Sequence, residues 1–417
     1  MKNFFSLLGT GLATVVLLLP PSPAKGFYQA EAGDYGLHLT GSLSAGLGRA
    51  LYPDVPQLYE ERGDTAWSGD VRLLADAFKA DFLRAGLNIL QFYHSTPPFS
   101  RGGEVFDARD VERSGLFFLS EHQSAKTRAG LVLDAFRLAF GGGRNELVVG
   151  RQPVSLSVTF YFSPNDFFAP FAPQSFYRVY KPGVDALRFE RRLTNLSQLT
   201  VIGVLGYERD PQADSGWSRS PDWDRPSVLG RYVLDAGGFE WGALGGVVRD
   251  SPVAGASLQG ELFRWLGIRA EGRYLDSRQE DRAGGLMVSV GLEHQFSGNL
   301  TVRLEQMYNE GGYSSAAHAQ ADLLAGTVRS DYLGRQYTAF DIGYEFTPLL
   351  RAEILHLRNW SDGSRSTSLY GVYSLSDEGE LALTVTIPAG DASGNGIPPS
   401  EFGLQPVWCA LVYRHYF

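Results

Sequence analysis

The 417-residue chain holds one cysteine, Cys409, three methionines and seven histidines. A lone cysteine excludes an internal disulfide framework and a cysteine-built zinc site. The histidines (38, 94, 122, 294, 318, 356 and 415) never fall at His-x-x-x-His spacing, and neither a G-x-S-x-G elbow nor a G-x-x-x-x-G-K-[ST] loop occurs. The sequence therefore implies no enzyme, no cofactor and no metal site. A basic excess is missing too. With 37 Lys+Arg against 46 Asp+Glu the net charge is −9, which argues against nucleic acid as a partner. No apolar run beyond the N-terminus is long enough for a membrane helix. The composition also lacks the biases of collagen, coiled coils and disordered chains.

What is plentiful is glycine (49) and aromatic rings (26 Phe, 20 Tyr, 7 Trp), the signature of pleated surfaces joined by turns. At the N-terminus, Lys2 precedes an uncharged apolar run from Phe4 to Leu19, broken by Pro20-Pro21-Ser22-Pro23-Ala24. Ser22 and Ala24 are the small residues that a signal peptidase prefers, so 1–24 reads as a signal peptide and 25–417 as the exported protein.

From residue 36 the dominant period is two. Leu37 to Leu47 alternates apolar with small or polar residues, as do Ile268 to Tyr274, Leu300 to Glu305 and Leu381 to Ile387. Between Tyr337 and Phe346, Phe340, Ile342, Tyr344 and Phe346 share one face and Asp341, Gly343 and Glu345 the other. Such alternation means strands with one apolar and one polar face. The segments are 36–48, 67–79, 81–94, 125–139, 144–152, 182–193, 197–207, 227–235 and 239–249. They continue with 254–263, 267–276, 284–296, 299–308, 336–347, 350–360, 366–375, 379–387 and 405–417. Most run to roughly 9–13 residues, about the length a tilted strand needs to cross a bilayer.

Tight turns at Lys79-Ala80, Gly141-Gly142-Gly143, Thr194-Asn195-Leu196, Ala236-Gly237-Gly238, Ser297-Gly298 and Ser376-Asp377-Glu378 alternate with longer polar segments. Those are 49–66, 95–124, 153–181, 208–226, 309–335 and 388–404. Short turns at one end and long loops at the other predict an all-β fold, a single transmembrane antiparallel β-barrel. The expected count is about 18 strands, with 16 as the alternative, short periplasmic turns and longer external loops. A soluble propeller or sandwich would show repeats of about 40–50 residues, and none is visible.

The last segment, Val407 to Phe417, puts Val407, Cys409, Leu411, Tyr413 and Phe417 on one face and ends on phenylalanine. It resembles the assembly signal of Gram-negative outer-membrane proteins, which implies recognition of Tyr413 and Phe417 by the barrel-insertion machinery. His415 departs from the aromatic or apolar residue often found two before the end. A narrower resemblance, to porin-like outer-membrane proteins of unassigned substrate, covers Gly150-Arg151-Gln152-Pro153, Phe162 to Phe171 and Tyr180 to Arg188. The architecture resembles that of trimeric porins, whose third loop folds inward and narrows the pore. Here that place falls to 153–181. Its rings (Phe160, Tyr161, Phe162, Phe167, Phe168, Phe171, Phe176, Tyr177 and Tyr180) are too many for a loop bathed in water. An inward constriction would set Asp166, Arg178 and Lys181 at the eyelet; a loop packed on the rim or a neighbouring subunit is the competing reading.

Charges belong on the lumen face, because a charge facing lipid at mid-depth costs about 2–4 kcal/mol. Parity makes Arg188, Glu190, Arg192, Arg269, Glu271, Arg273, Arg303 and Glu305 candidate pore-lining residues, with Glu293, Glu345, Arg351, Glu353 and Arg414 beside them. They either set ion selectivity or pair across strands and stiffen the wall. Tyr207, Trp241, Tyr274, Phe296, Tyr308, Tyr337, Phe346, Trp360 and Tyr413 stand near segment ends, where aromatic girdles meet headgroups. Asp210, Asp214, Asp222 and Asp224 read as a solvated acidic loop rather than a calcium site. The function expected is an outer-membrane porin passing small hydrophilic solutes through a water-filled lumen. The alternatives are a substrate-specific exporter, for instance of a polysaccharide, and a sheath around a partner such as a multihaem cytochrome. Outer-membrane lipid is an expected neighbour and a homo-oligomer is compatible with the pattern.

Overall fold

A computed structural model describes residues 27–55, 59, 61–80, 82–95, 111–123, 127–210, 212–213, 215–278, 283–317, 319, 332–391 and 400–417. The expected signal peptide, 1–24, lies outside the described residues, as do Asp214 and His318. In chain order the strands are β1 (Tyr28–Ala32), β2 (Tyr35–Leu51), β3 (Gly63–Lys79), β4 (Leu83–Ser95), β5 (Phe118–Gln123), β6 (Thr127–Gly142) and β7 (Asn145–Gln152). Next come β8 (Val184–Thr194), β9 (Ser197–Gly206), β10 (Asp222–Ala236), β11 (Phe239–Val248), β12 (Ser251–Leu262), β13 (Leu266–Leu275) and β14 (Gly285–Phe296). The remainder are β15 (Leu300–Asn309), β16 (Gln336–Thr347), β17 (Leu350–Asn359), β18 (Arg365–Ser374), β19 (Gly379–Ala389) and β20 (Val407–Tyr416).

Leaving β1 and β5 aside, 18 strands form the wall, each antiparallel to the next. The ring closes where β20 returns to β2, from Ser42 opposite Tyr416 to Leu51 opposite Val407. Closure removes every open edge, which is what a sheet in lipid requires. Each expected segment corresponds to one wall strand. Several strands run further than alternation indicated; β3 begins at Gly63 and β10 at Asp222. Ladder hydrogen bonds come from the backbone, so they continue past the point where the side-chain pattern fades.

The two extra strands patch gaps in the wall. Strand β1 pairs with the start of β2, Tyr28 opposite Leu39, below the point where β20 ends. Phe27 meets the Phe417 ring edge-on there, with 6.0 Å between centroids. Strand β7 pairs with β6 only from Phe136 onward, and β5 takes the same edge of β6 above it, around Gly130 and Val132. Connections such as 143–144, 195–196 and 237–238 are very tight. Gly237 and Gly238 have φ of 65° and 82°, a geometry that a two-residue hairpin of this hand needs and that glycine adopts freely. The opposite end carries 52–62, 96–126, 153–183, 207–221, 310–335 and 390–406, together with three shorter connections, 249–250, 276–284 and 360–364.

Alternation then sorts the side chains. On β15, Leu304 points outward and is 45% exposed, whereas its neighbour Glu305 points inward and is fully buried. Val290, Ile342, Ile354 and Leu369 extend the outward apolar belt round the ring. So much exposed aliphatic surface is stable against hydrocarbon, not water. Trp241, Tyr274, Phe296, Tyr308, Phe346 and Trp360 are exposed near the belt's two margins, as girdle residues should be. Tyr207 and Tyr337, assigned by sequence to the same girdle, are instead turned inward, each 2% exposed. Tyr337 shares the parity of inward Ala339 and Asp341, and its hydroxyl donates to Glu401 at 2.6 Å. Tyr207 follows the last residue of β9, where the alternation stops, and its backbone N–H donates to Glu112.

Candidate functional site

Between β7 and β8 the chain leaves the wall, and residues 153–183 run inside the barrel. The lumen-side faces of β8 to β13 are apolar near the long-loop end, offering Val184, Ile202, Val204, Leu229, Leu244, Val253 and Leu275. Val154, Leu156, Phe167 and Phe168 of the segment pack on them. Tyr161 and Phe162 continue onto Met307, Tyr337, Leu355 and Leu357. Farther round, Phe176 stacks on Tyr370 of β18 with centroids 4.8 Å apart. The Arg414 guanidinium of β20 lies 4.0 Å over the Tyr177 ring, and Arg72 of β3 lies 4.4 Å over Tyr180. The rings that make this segment unusual for a loop are thus those that seat it against the inner wall.

Two wall carboxylates hold the turn between. Glu305 accepts backbone N–H groups from Phe160 and Phe162, each at 2.7 Å, a longer bond from Tyr161, and the Ser289 hydroxyl at 2.9 Å. Glu271 accepts from the Val158 N–H at 2.6 Å, the Asn165 N–H at 2.9 Å and the Ser157 hydroxyl at 2.9 Å. Carboxylates take up to about four hydrogen bonds as acceptors, so clusters of donors satisfy their buried charge.

An ionic cluster fixes both feet of the segment. At its start Arg151, 1% exposed, forks onto Asp185 at 2.8 and 2.9 Å and donates to the Ser114 carbonyl. Arg113 donates to Asp134 at 2.9 Å and reaches the Gly183 carbonyl. Asp134 also takes Arg72 at 2.6 Å. Asp134 sits where the β4–β6 register slips between Asn88 and Ile89, outside the regular ladder. None of this cluster was among the sequence candidates. Arg151 and Asp185 do lie in the two stretches that carried the narrower resemblance, so the signal was present without a chemical reading.

The candidates named by sequence divide into several groups. Asp166 and Lys181 bond to each other inside the segment. Burial pushes the Asp166 carboxyl up, with Lys181 pulling it back, and burial pushes the Lys181 amine down. Arg178 folds onto its own segment, donating to the carbonyls of Ser175, Pro173 and Phe160. Glu271, Arg273 and Glu305 lie beneath the segment, with Arg273 5.0 Å from the Phe167 ring centre. Arg269 stands over Phe160 and donates to the Val158 carbonyl. Arg303 pairs with Glu293 at 2.6 Å and Asp341 at 3.3 Å. Arg188 pairs with Glu190 on the same strand at 3.3 Å, and Arg192 is exposed toward the short turns. Tyr413 faces outward; Phe417 exchanges backbone bonds with Gly41 at 2.7 and 3.0 Å.

No sequence profile of a known family matches the chain, and no curated protein matches it. Solved structures do. OccAB4 of Acinetobacter baumannii superposes with a TM-score of 0.59 at 11% identity, covering 93% of this chain and 98% of that one. A BenF-like porin from Pseudomonas fluorescens Pf-5 gives 0.57 at 12% identity, with 91% and 98% covered. OccK2 of Pseudomonas aeruginosa, solved in complex with glucuronate, gives 0.54 at 13% identity over the same shares. The fold is that of Gram-negative outer-membrane porins. Its outward apolar belt suits the outer membrane.

Several ion pairs on this porin fold's inner wall keep some contact with solvent. Among them are Arg188 with Glu190, Arg231 with Glu240 at 3.7 Å, and Asp76 with Arg137 at 3.9 Å. Both signs are present and paired, so these positions carry no dense field of one sign.

Proposed function

We propose that the protein is a porin, giving passive diffusion of small hydrophilic solutes through a water-filled lumen that 153–181 narrows. One observation carries the reading. The segment between β7 and β8 contacts the inner wall from β8 round to β20 and on to β3, with its rings packed there and the backbone amides of Val158, Phe160, Tyr161, Phe162 and Asn165 bonded to wall carboxylates. A sheath around another protein would need that space. An exporter of an acidic polymer would call for a run of unopposed arginines, whereas Arg303 and Arg188 have carboxylate partners. Arg188, Glu190, Arg192, Arg269 and Arg303 are the proposed lining. Glu271, Arg273, Glu305, Asp166, Arg178 and Lys181 support the constriction from behind or within, and Tyr413 and Phe417 form the assembly signal.

The test is single-channel recording from the refolded chain in a planar bilayer under a salt gradient. Discrete open steps with a small reversal potential are expected. Glucuronate, the ligand held by one structural neighbour, is a first solute to try. A folded, heat-modifiable barrel that conducts nothing would refute the open-pore reading.

A further inference from the structure

Glu271 and Glu305 are the wrong residues to read a solute, although parity puts them on the lumen face. Glu305 is fully buried and Glu271 only 3% exposed. Neither forms an ion pair with an arginine or lysine among the described residues. Their partners are mostly the backbone N–H groups of Val158, Phe160, Tyr161, Phe162 and Asn165. The wall around them is cut away to admit the segment. A Cβ at Gly291 would stand 2.9 Å from the Phe160 ring, and one at Gly255 would stand 2.7 Å from the Asn165 side-chain oxygen. Both contacts are closer than a side chain tolerates.

We propose that Glu271 and Glu305 are a pair of carboxylate latches that dock the turn 157–165 in the wall and so set the width of the passage. Gly255 and Gly291 provide the clearance. This rests on the porin reading for its consequence, but the docking itself does not. A latch of this kind depends on charge. Glutamine has the same shape, yet it turns an NH2 toward donors that need an acceptor, and loses the charge that strengthens each bond. The five amides are shared between both oxygens of each carboxylate, and glutamine keeps only one acceptor oxygen, so the double variant leaves part of this set without a partner.

The experiment is amide hydrogen exchange on the folded full chain, run beside single-channel recording, for wild type, E271Q/E305Q and G291L. In the double variant the amides of 158–165 should exchange about tenfold faster or more, since bonds to charged acceptors are the stronger ones. Exchange at the β2–β20 seam should stay unchanged, and the open channel should become noisier with a shifted conductance. G291L crowds both the Phe160 ring and the Glu305 carboxylate, 2.9 and 3.1 Å from the new Cβ, and should reproduce the effect with both glutamates kept. It also decides the matter if the double variant fails to fold. Undiminished protection at 158–165 in the variants would overturn the latch. A silent wild-type channel with protection lost in E271Q/E305Q would overturn the porin reading and leave the latch standing.

Discussion

Leu304 stands midway along β15, opposite Leu292 on β14 and Phe340 on β16, with Tyr308 four residues toward the long-loop end. If the outward belt faces hydrocarbon, L304R places a charge near mid-depth and should cost about 2–4 kcal/mol. That is about a 30- to 900-fold loss in the folding equilibrium, at about 1.36 kcal/mol per decade. The same substitution at Gln306, two residues nearer the interface on the same face, should cost much less, falling toward about 0–1 kcal/mol. Depth is what separates the two sites. Both side chains are exposed, so in water neither change would matter much. The assay is urea titration of folding in lipid vesicles, followed by tryptophan fluorescence. Equal, small losses at both positions would refute the bilayer argument and reopen a soluble all-β protein. A loss at Gln306 as large as at Leu304 would place the midplane elsewhere.

Other perturbations follow from the same geometry. F176A removes a ring stacked at 4.8 Å on Tyr370 and should raise single-channel conductance. The lost aromatic pair is worth about 0.5–1.5 kcal/mol beyond its buried area. R303L leaves Glu293 and Asp341 without their cation, so the reversal potential under a salt gradient should move toward cation preference. D185N leaves the buried Arg151 guanidinium short of its fork partner. Breaking a buried pair typically costs about 3–5 kcal/mol, which a shifted urea midpoint would show.

The wall was legible because a strand between lipid and lumen must alternate, and residues such as Leu304 and Glu305 obey that rule without help from distant parts of the chain. The turns were legible for a similar local reason, as at Gly237 and Gly238. What could not be read was where side chains from separate strands converge. Asp134 escapes the pattern because a register slip removes it from the ladder. Arg113 belongs to a segment whose place depends on β7 leaving the wall early. Tyr207 was misassigned because alternation carries no information once the strand has ended.

The inner wall shows why charge pattern alone understates this design. Parity marked Arg303 and Glu305 as equivalent pore-lining positions, two residues apart on one strand. Arg303 meets other side chains of the wall and keeps some contact with solvent. Glu305 spends its charge on three backbone amides and a hydroxyl. A segment folded into a barrel brings unpaired N–H groups with it, and those groups need acceptors as surely as a solute would. Some inward carboxylates must therefore serve the segment, and the rest are free to serve the passage. Which are which depends on where the turn sits, and its seat is visible in the sequence only as glycines, Gly255 and Gly291, on strands otherwise unremarkable. On the porin reading, selectivity accordingly falls to the charges left over once the segment has been held in place.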